Sequence, residues 1–164
     1  MDFLIEHDLT APPVKVQDAL LDPDFVRSTA SIPKIGGAEP LELTRTDTTA
    51  RLRVRYRFTA PLSSAVTRVI DPDKFTWVDD GTFNLATNRS DHVLHPDNYA
   101  DRFRASYRSS LEPSGAGTRW VISGSLVVKA PLVGGKVAAV IVDGLREAMA
   151  TQAGMLEQWT ARQA

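Results

Sequence analysis

Three histidines, three tyrosines and the acids near them set out the chemistry this chain could perform. His7 and Asp79 form one candidate pair. A histidine beside a carboxylate can act as a general base, held against a tyrosine hydroxyl from Tyr56 or Tyr107. The pairing requires both residues to face the same side of a sheet. A lone histidine on an apolar face is more often a hydrogen-bonded core residue, so no catalytic residue is assigned.

Asp91, His92, His95 and Asp97 lie close in sequence, as metal ligands often do. On a strand, positions 92 and 95 point to opposite faces, and the spacing of a metal-binding helix or turn is missing. This stretch reads as polar surface. Arg51, Arg53, Arg55 and Arg57 alternate along one segment, and Arg102, Arg104, Arg108 and Arg119 fall on the same side by parity. Asp2, Glu6, Asp8 and Glu42 share that side, and no stacking aromatics accompany the arginines. The expectation is a solvated convex face with charge pairs across strands, and no nucleic-acid partner. Gly135-Lys136 precedes a helix but lacks the first glycine and the following Ser or Thr of a phosphate loop.

The composition narrows these readings. A chain of 164 residues fits one domain, 1–164. At 43% hydrophobic and 24% charged it can bury a core and remain an ordinary globule. The net charge of -1 gives no bulk attraction to nucleic acid or anionic lipid. The absence of cysteine removes disulfides, thiolate catalysis and sulfur-ligated zinc. The N-terminus is acidic and alternating, unlike a signal peptide. No run approaches the roughly 18 apolar residues of a membrane span. A cytoplasmic protein without a cofactor, monomeric or weakly dimeric, is expected.

The elements that must position these residues follow from periodicity. Phe3, Ile5, His7 and Leu9 share one face of a strand over residues 2–9. Pro13 opens a short helix, and Phe25 and Val26 suggest a second helical turn up to Thr29. Residues 32–37 read as a loop. Strands are expected over 40–47 and 51–59; in the second, Leu52, Val54, Tyr56 and Phe58 face inward opposite the four arginines. Leu62 to Ile70 have helical spacing, with Ser63 and Ser64 as caps. Residues 74–87 read as one long strand bent at Gly81, although Asp80-Gly81 is also a hairpin signal. Only as one strand do they put Asp79 inward with Trp77 and Phe83. Further strands are expected over 91–96, 101–112 and 117–130. From Gly135 to Arg162, apolar residues recur at steps of three and four, giving one amphipathic helix roughly 40 Å long. Only the sheet is large enough to cover it.

The order of elements resembles the START-like, or helix-grip, superfamily, which includes plant pathogenesis-related allergens, polyketide cyclase and dehydrase-like proteins and lipid-transfer domains. Gly117-Thr118-Arg119, the turn Lys129-Ala130-Pro131-Leu132-Val133-Gly134-Gly135-Lys136 and the segment Asp22-Pro23-Asp24-Phe25 carry the likeness, which points to a bacterial branch without assigned function. The resemblance implies an α+β helix-grip fold: a seven-stranded curved antiparallel sheet around a long C-terminal helix, with two short helices after the first strand. It also implies a cavity between sheet and helix, and it carries over no catalytic residue.

Such a cavity would have walls of unusual bulk. Tyr56, Phe58, Trp77, Phe83, Phe103, Tyr107 and Trp120 face inward by parity, and His7 joins them. From the helix, Ile141, Leu145, Ala148 and Met149 would complete the walls; Gly144 and Ala148 would open space beside Leu145, and Met149 and Met155 would adapt to a ligand. The expected partner is a small hydrophobic or amphipathic molecule (a lipid, isoprenoid or polyketide-like compound). An enzyme acting on such a molecule, or an interaction module with a filled core, are the alternatives.

Overall fold

The computed structural model describes residues 1–163. Seven strands form one antiparallel sheet: β1 (Asp2–Leu9), β2 (Ile35–Arg45), β3 (Thr49–Phe58), β4 (Thr76–Asn84), β5 (Arg89–Pro96), β6 (Phe103–Ser114) and β7 (Gly117–Val128). Their spatial order is β1-β7-β6-β5-β4-β3-β2. From β2 to β7 every strand pairs with its neighbour in sequence, and only β1 is brought back from afar, to the edge of β7. Two helices, α1 (Pro13–Leu20) and α2 (Pro23–Ser28), bridge the two edge strands. A short α3 (Ser64–Thr67) joins β3 to β4, and α4 (Gly134–Arg162) crosses the concave face.

Local chemistry explains the joints. Pro13 and Pro23 open α1 and α2 at a position where a missing N–H costs nothing. The Asp22 carboxylate accepts the Asp24 N–H at 2.8 Å and caps α2. Gly115, at φ +59°, permits the two-residue turn between β6 and β7. Three differences from the sequence reading have simple causes. β2 begins at Ile35, inside the stretch read as a loop, because Gly36 tucks against the Ala30 and Ile32 carbonyls, where a Cβ would sit 2.6–2.8 Å from oxygen. α3 is four residues long, since Asp71-Pro72 ends the segment and Val66 and Ile70 already bury its apolar side. β4 is one strand, but it runs through Gly81 in unbroken register with β3 and β5, with no bulge at the position where a bend was expected.

Of three core clusters, one joins α2 to β2, β3 and β4 around Val26, Leu52, Val54 and Phe83, and the other two pack against α4. Towards the end of the helix, Leu156 and Ala153 pack with Phe3, Ile5, Val16, Phe25 and Trp120. Towards its start, Val137 packs with Phe58, Phe75, Phe103 and Ile70. Polar clasps fix the helix against the rim. Glu157 accepts hydrogen bonds from the Thr10 N–H at 2.6 Å and the Thr10 hydroxyl at 2.7 Å. Glu147 pairs with Lys34 at 2.6 Å.

The convex face is laced with charge pairs. Arg51 grips Asp80 with two hydrogen bonds of 3.0 and 2.7 Å, and Arg55 grips Asp97 with two of 3.0 Å. Arg53 reaches Glu42, Arg108 reaches Asp91 and Arg119 reaches Asp8. His95 faces Asp80 on this side.

Candidate functional site

Between the two clusters packed on α4 the sheet and helix part, leaving a cavity of about 140 Å³ that the third cluster borders through Val26, Leu52, Val54 and Phe83. Tyr56, Trp77, Phe83, Tyr107 and Trp120 line it from the sheet. Ile141, Leu145, Ala148 and Met149 line it from α4. Three residues expected there do not reach it. Phe58 and Phe103 are consumed by an aromatic cluster around Phe75, with ring centroids 5.3 and 4.8 Å from it. His7 has the right parity, but on the edge strand β1 it lies beyond Trp120, whose ring is 6.5 Å away. Gly144 opens no space either: the Phe58 ring lies where a Cβ would meet it at 3.1 Å.

Asp79 does face the cavity, but its histidine is His92 and not His7. β1 and β4 are four strand spacings apart, roughly 19 Å, so His7 is too remote to pair. His92, on β5 beside β4, places Nδ1 2.8 Å from Asp79 Oδ1. Its Nε2 is 2.8 Å from the Ser90 hydroxyl. The Tyr107 hydroxyl donates to the other Asp79 oxygen. The His92 ring stacks on Tyr107, the centroids 4.2 Å apart and the planes within 9°. Gly81 makes room, since a Cβ there would lie 2.6 Å from the His92 ring. The Asp79 and His92 side chains are about nine-tenths buried, so their polar atoms depend on these bonds.

The protons in this network have one direction. Burial, then the negative charge of Asp79, raises the Tyr107 pKa well above the ordinary phenol value. Tyr107 therefore stays protonated and donates to Asp79. With Asp79 as the acceptor, the tautomer that fits both contacts carries its proton on His92 Nδ1, and in that tautomer Nε2 accepts from the Ser90 hydroxyl. Burial, then Asp79, also raises the Tyr56 pKa, keeping its hydroxyl a donor at the cavity wall. At the far end, the Trp120 indole donates to the Ser109 hydroxyl at 2.9 Å.

Sequence reasoning missed His92, Ser90 and Ser109. The signal was present: with β5 as a regular strand, Ser90, His92 and Leu94 share the inner face. Grouping His92 with His95 as surface residues hid it.

A family model described as a protein of unknown function, DUF2505, matches residues 5–160. The chain belongs to the DUF2505 family. No curated protein matches the sequence. Solved structures match over the whole chain. TTHA0849 from Thermus thermophilus has a TM-score of 0.72 at 18% identity, covering 100% of this chain and 99% of that one. The Zhui aromatase/cyclase from Streptomyces sp. R1128 has a TM-score of 0.66 at 15% identity, covering 99% and 95%. Ara h 8.0201 has a TM-score of 0.62 at 15% identity, covering 99% and 98%. At these identities the likeness establishes the START-like helix-grip fold. No helix of the described residues is long and apolar enough to cross a membrane.

Proposed function

We propose that this DUF2505 domain binds a compact, ring-containing apolar molecule in the cavity between sheet and α4, oriented by a hydroxyl on the ligand. The observation that carries this reading is a directional polar network set in an otherwise apolar cavity. Pockets of that make-up, apolar walls with a few placed polar groups, are the usual form of a small-molecule site.

Volume chooses among the candidate ligands. About 140 Å³ is close to the size of cavity that admits a benzene-sized molecule. It favours a single-ring compound over a long-chain lipid or a fused polyketide. The network chooses the polar end. Ser90 and Tyr107 have committed their protons inward, so they offer lone pairs to a ligand, while Tyr56 offers a proton. A ligand hydroxyl, which both donates and accepts, satisfies both sides.

Calorimetric titration with phenol and anisole tests this. Phenol is expected to bind roughly 3–10-fold more tightly, the worth of one buried hydrogen bond. Equal affinities would refute the role of the network. Filling the cavity by Leu145→Trp should abolish phenol uptake and leave the fold intact.

A further inference from the structure

The network that would orient a ligand also has the connectivity of a nucleophilic site. Ser90 Oγ, His92 Nε2, His92 Nδ1 and Asp79 Oδ1 form one chain with both links at 2.8 Å. All three side chains line the cavity, and Ser90 is only 6% exposed. A hydroxyl hydrogen-bonded to a base, with the base oriented by a carboxylate, is the arrangement that activates a serine. Retaining a buried carboxylate, imidazole and hydroxyl in an apolar cavity also costs solvation, which aliphatic side chains would avoid.

We propose that Ser90 is an activated nucleophile that takes the acyl group of short esters of ring-sized alcohols; this rests on the ligand-binding reading of the cavity. Ser90 Oγ attacks the ester carbonyl carbon, its proton passes to His92 Nε2, and the carbonyl π pair moves onto oxygen. Collapse breaks the bond to the alkoxy oxygen, which takes the proton from His92 and leaves as the alcohol. Water then attacks the acyl-serine, loses a proton to His92 and releases the carboxylic acid, and His92 returns the proton to Ser90. Asp79 is a positioning residue that fixes the tautomer and stabilises the imidazolium. Ser109 is placed to meet the developing oxyanion. It is the direct cross-strand neighbour of Ser90, on the same face. Because its oxygen already accepts from Trp120, its own proton is the one it has to give.

The test is covalent labelling of the intact protein with phenylmethanesulfonyl fluoride, whose single ring suits the cavity. Ser90 Oγ would displace fluoride from sulfur and release a proton through His92. Peptide mass spectrometry is expected to place the adduct on Ser90, with none on Ser90→Ala. His92→Gln and Asp79→Asn should label roughly a hundredfold or more slowly, while their thermal melts show a folded protein. Phenol affinity should change far less than labelling rate in Asp79→Asn, which a general structural defect would not produce. Absence of an adduct on the wild-type protein while phenol still binds would overturn this proposal and leave the ligand site standing. An adduct formed as fast in His92→Gln would overturn it too. Loss of both phenol binding and labelling in the wild type would remove both readings.

Discussion

His92 is held by four neighbours at once: Asp79 and Ser90 through its two nitrogens, Tyr107 against one ring face, and Phe83 edge-on with centroids 5.3 Å apart. Gly81 is the residue that lets it lie there. Gly81→Ala places a methyl 2.6–2.7 Å from the imidazole and 3.0 Å from Phe83, so the ring must move off Asp79. We expect a loss of about 1–3 kcal/mol, the usual cost of overpacking, measured by thermal or denaturant unfolding. The Asp79–His92 bond should also disappear from the imidazole nitrogen resonances. Tyr107→Phe should cost about 1–3 kcal/mol by leaving one Asp79 oxygen without its donor. At this scale the sequence is partly legible. Parity puts Asp79, Tyr56, Tyr107, Trp77 and Trp120 on the correct face. It cannot say how far apart β1 and β4 lie, because the order of strands is a long-range property. That is why parity alone pairs His7 with an acid that belongs to His92.

At the scale of elements, α4 is gripped by apolar contact, and the rim clasps add orientation. Leu156 is 1% exposed within the cluster that joins α4 to β1, β7 and α1. Leu156→Ala should therefore cost about 2–5 kcal/mol in unfolding free energy. The arginine–acid pairs bind strand to strand on the convex face and give stability a defined acid limit. Hydrogen bonding and charge from Arg51 hold the folded Asp80 pKa below the ordinary value of 3.8, and Arg55 does the same for Asp97. A depressed carboxylate pKa contributes stability that is complete above the unfolded value and is lost as pH falls through the folded one. Stability should thus decline below about pH 4, and Asp80→Asn should flatten that decline in an acid unfolding series. The strands and the long helix are readable because their alternation is strong; in β3 a one-residue slip would bury four arginines. β5 is the weak element. Its inner face carries Ser90 and His92 before a single aliphatic residue, Leu94, so hydrophobic periodicity understates it where the polar site is built.

The whole molecule is a sheet bent around one helix, and the cavity is the consequence of that mismatch. A straight helix can be packed tightly against a curved sheet at two places, and here it is: around Phe25, Trp120 and Leu156 at one end, and around Phe58, Phe75 and Val137 at the other. The space between is left to Tyr56, Trp77, Tyr107 and the polar network. The fold is legible in the order of elements. The depth of each aromatic in that fold is not, since Phe58 and Phe103 have the same parity as Tyr56 and Tyr107 yet fill the core. The three tryptophans provide a direct test. Trp77 and Trp120 line the cavity, while Trp159 packs edge-on against Phe25, 5.5 Å between centroids, outside it. Titrating phenol into nitrogen-15-labelled protein should shift the Trp77 and Trp120 indole resonances saturably and leave Trp159 in place, and Leu145→Trp should abolish those shifts. Indole resonances that do not move, or that move alike at all three tryptophans, would contradict a ligand site between the sheet and α4.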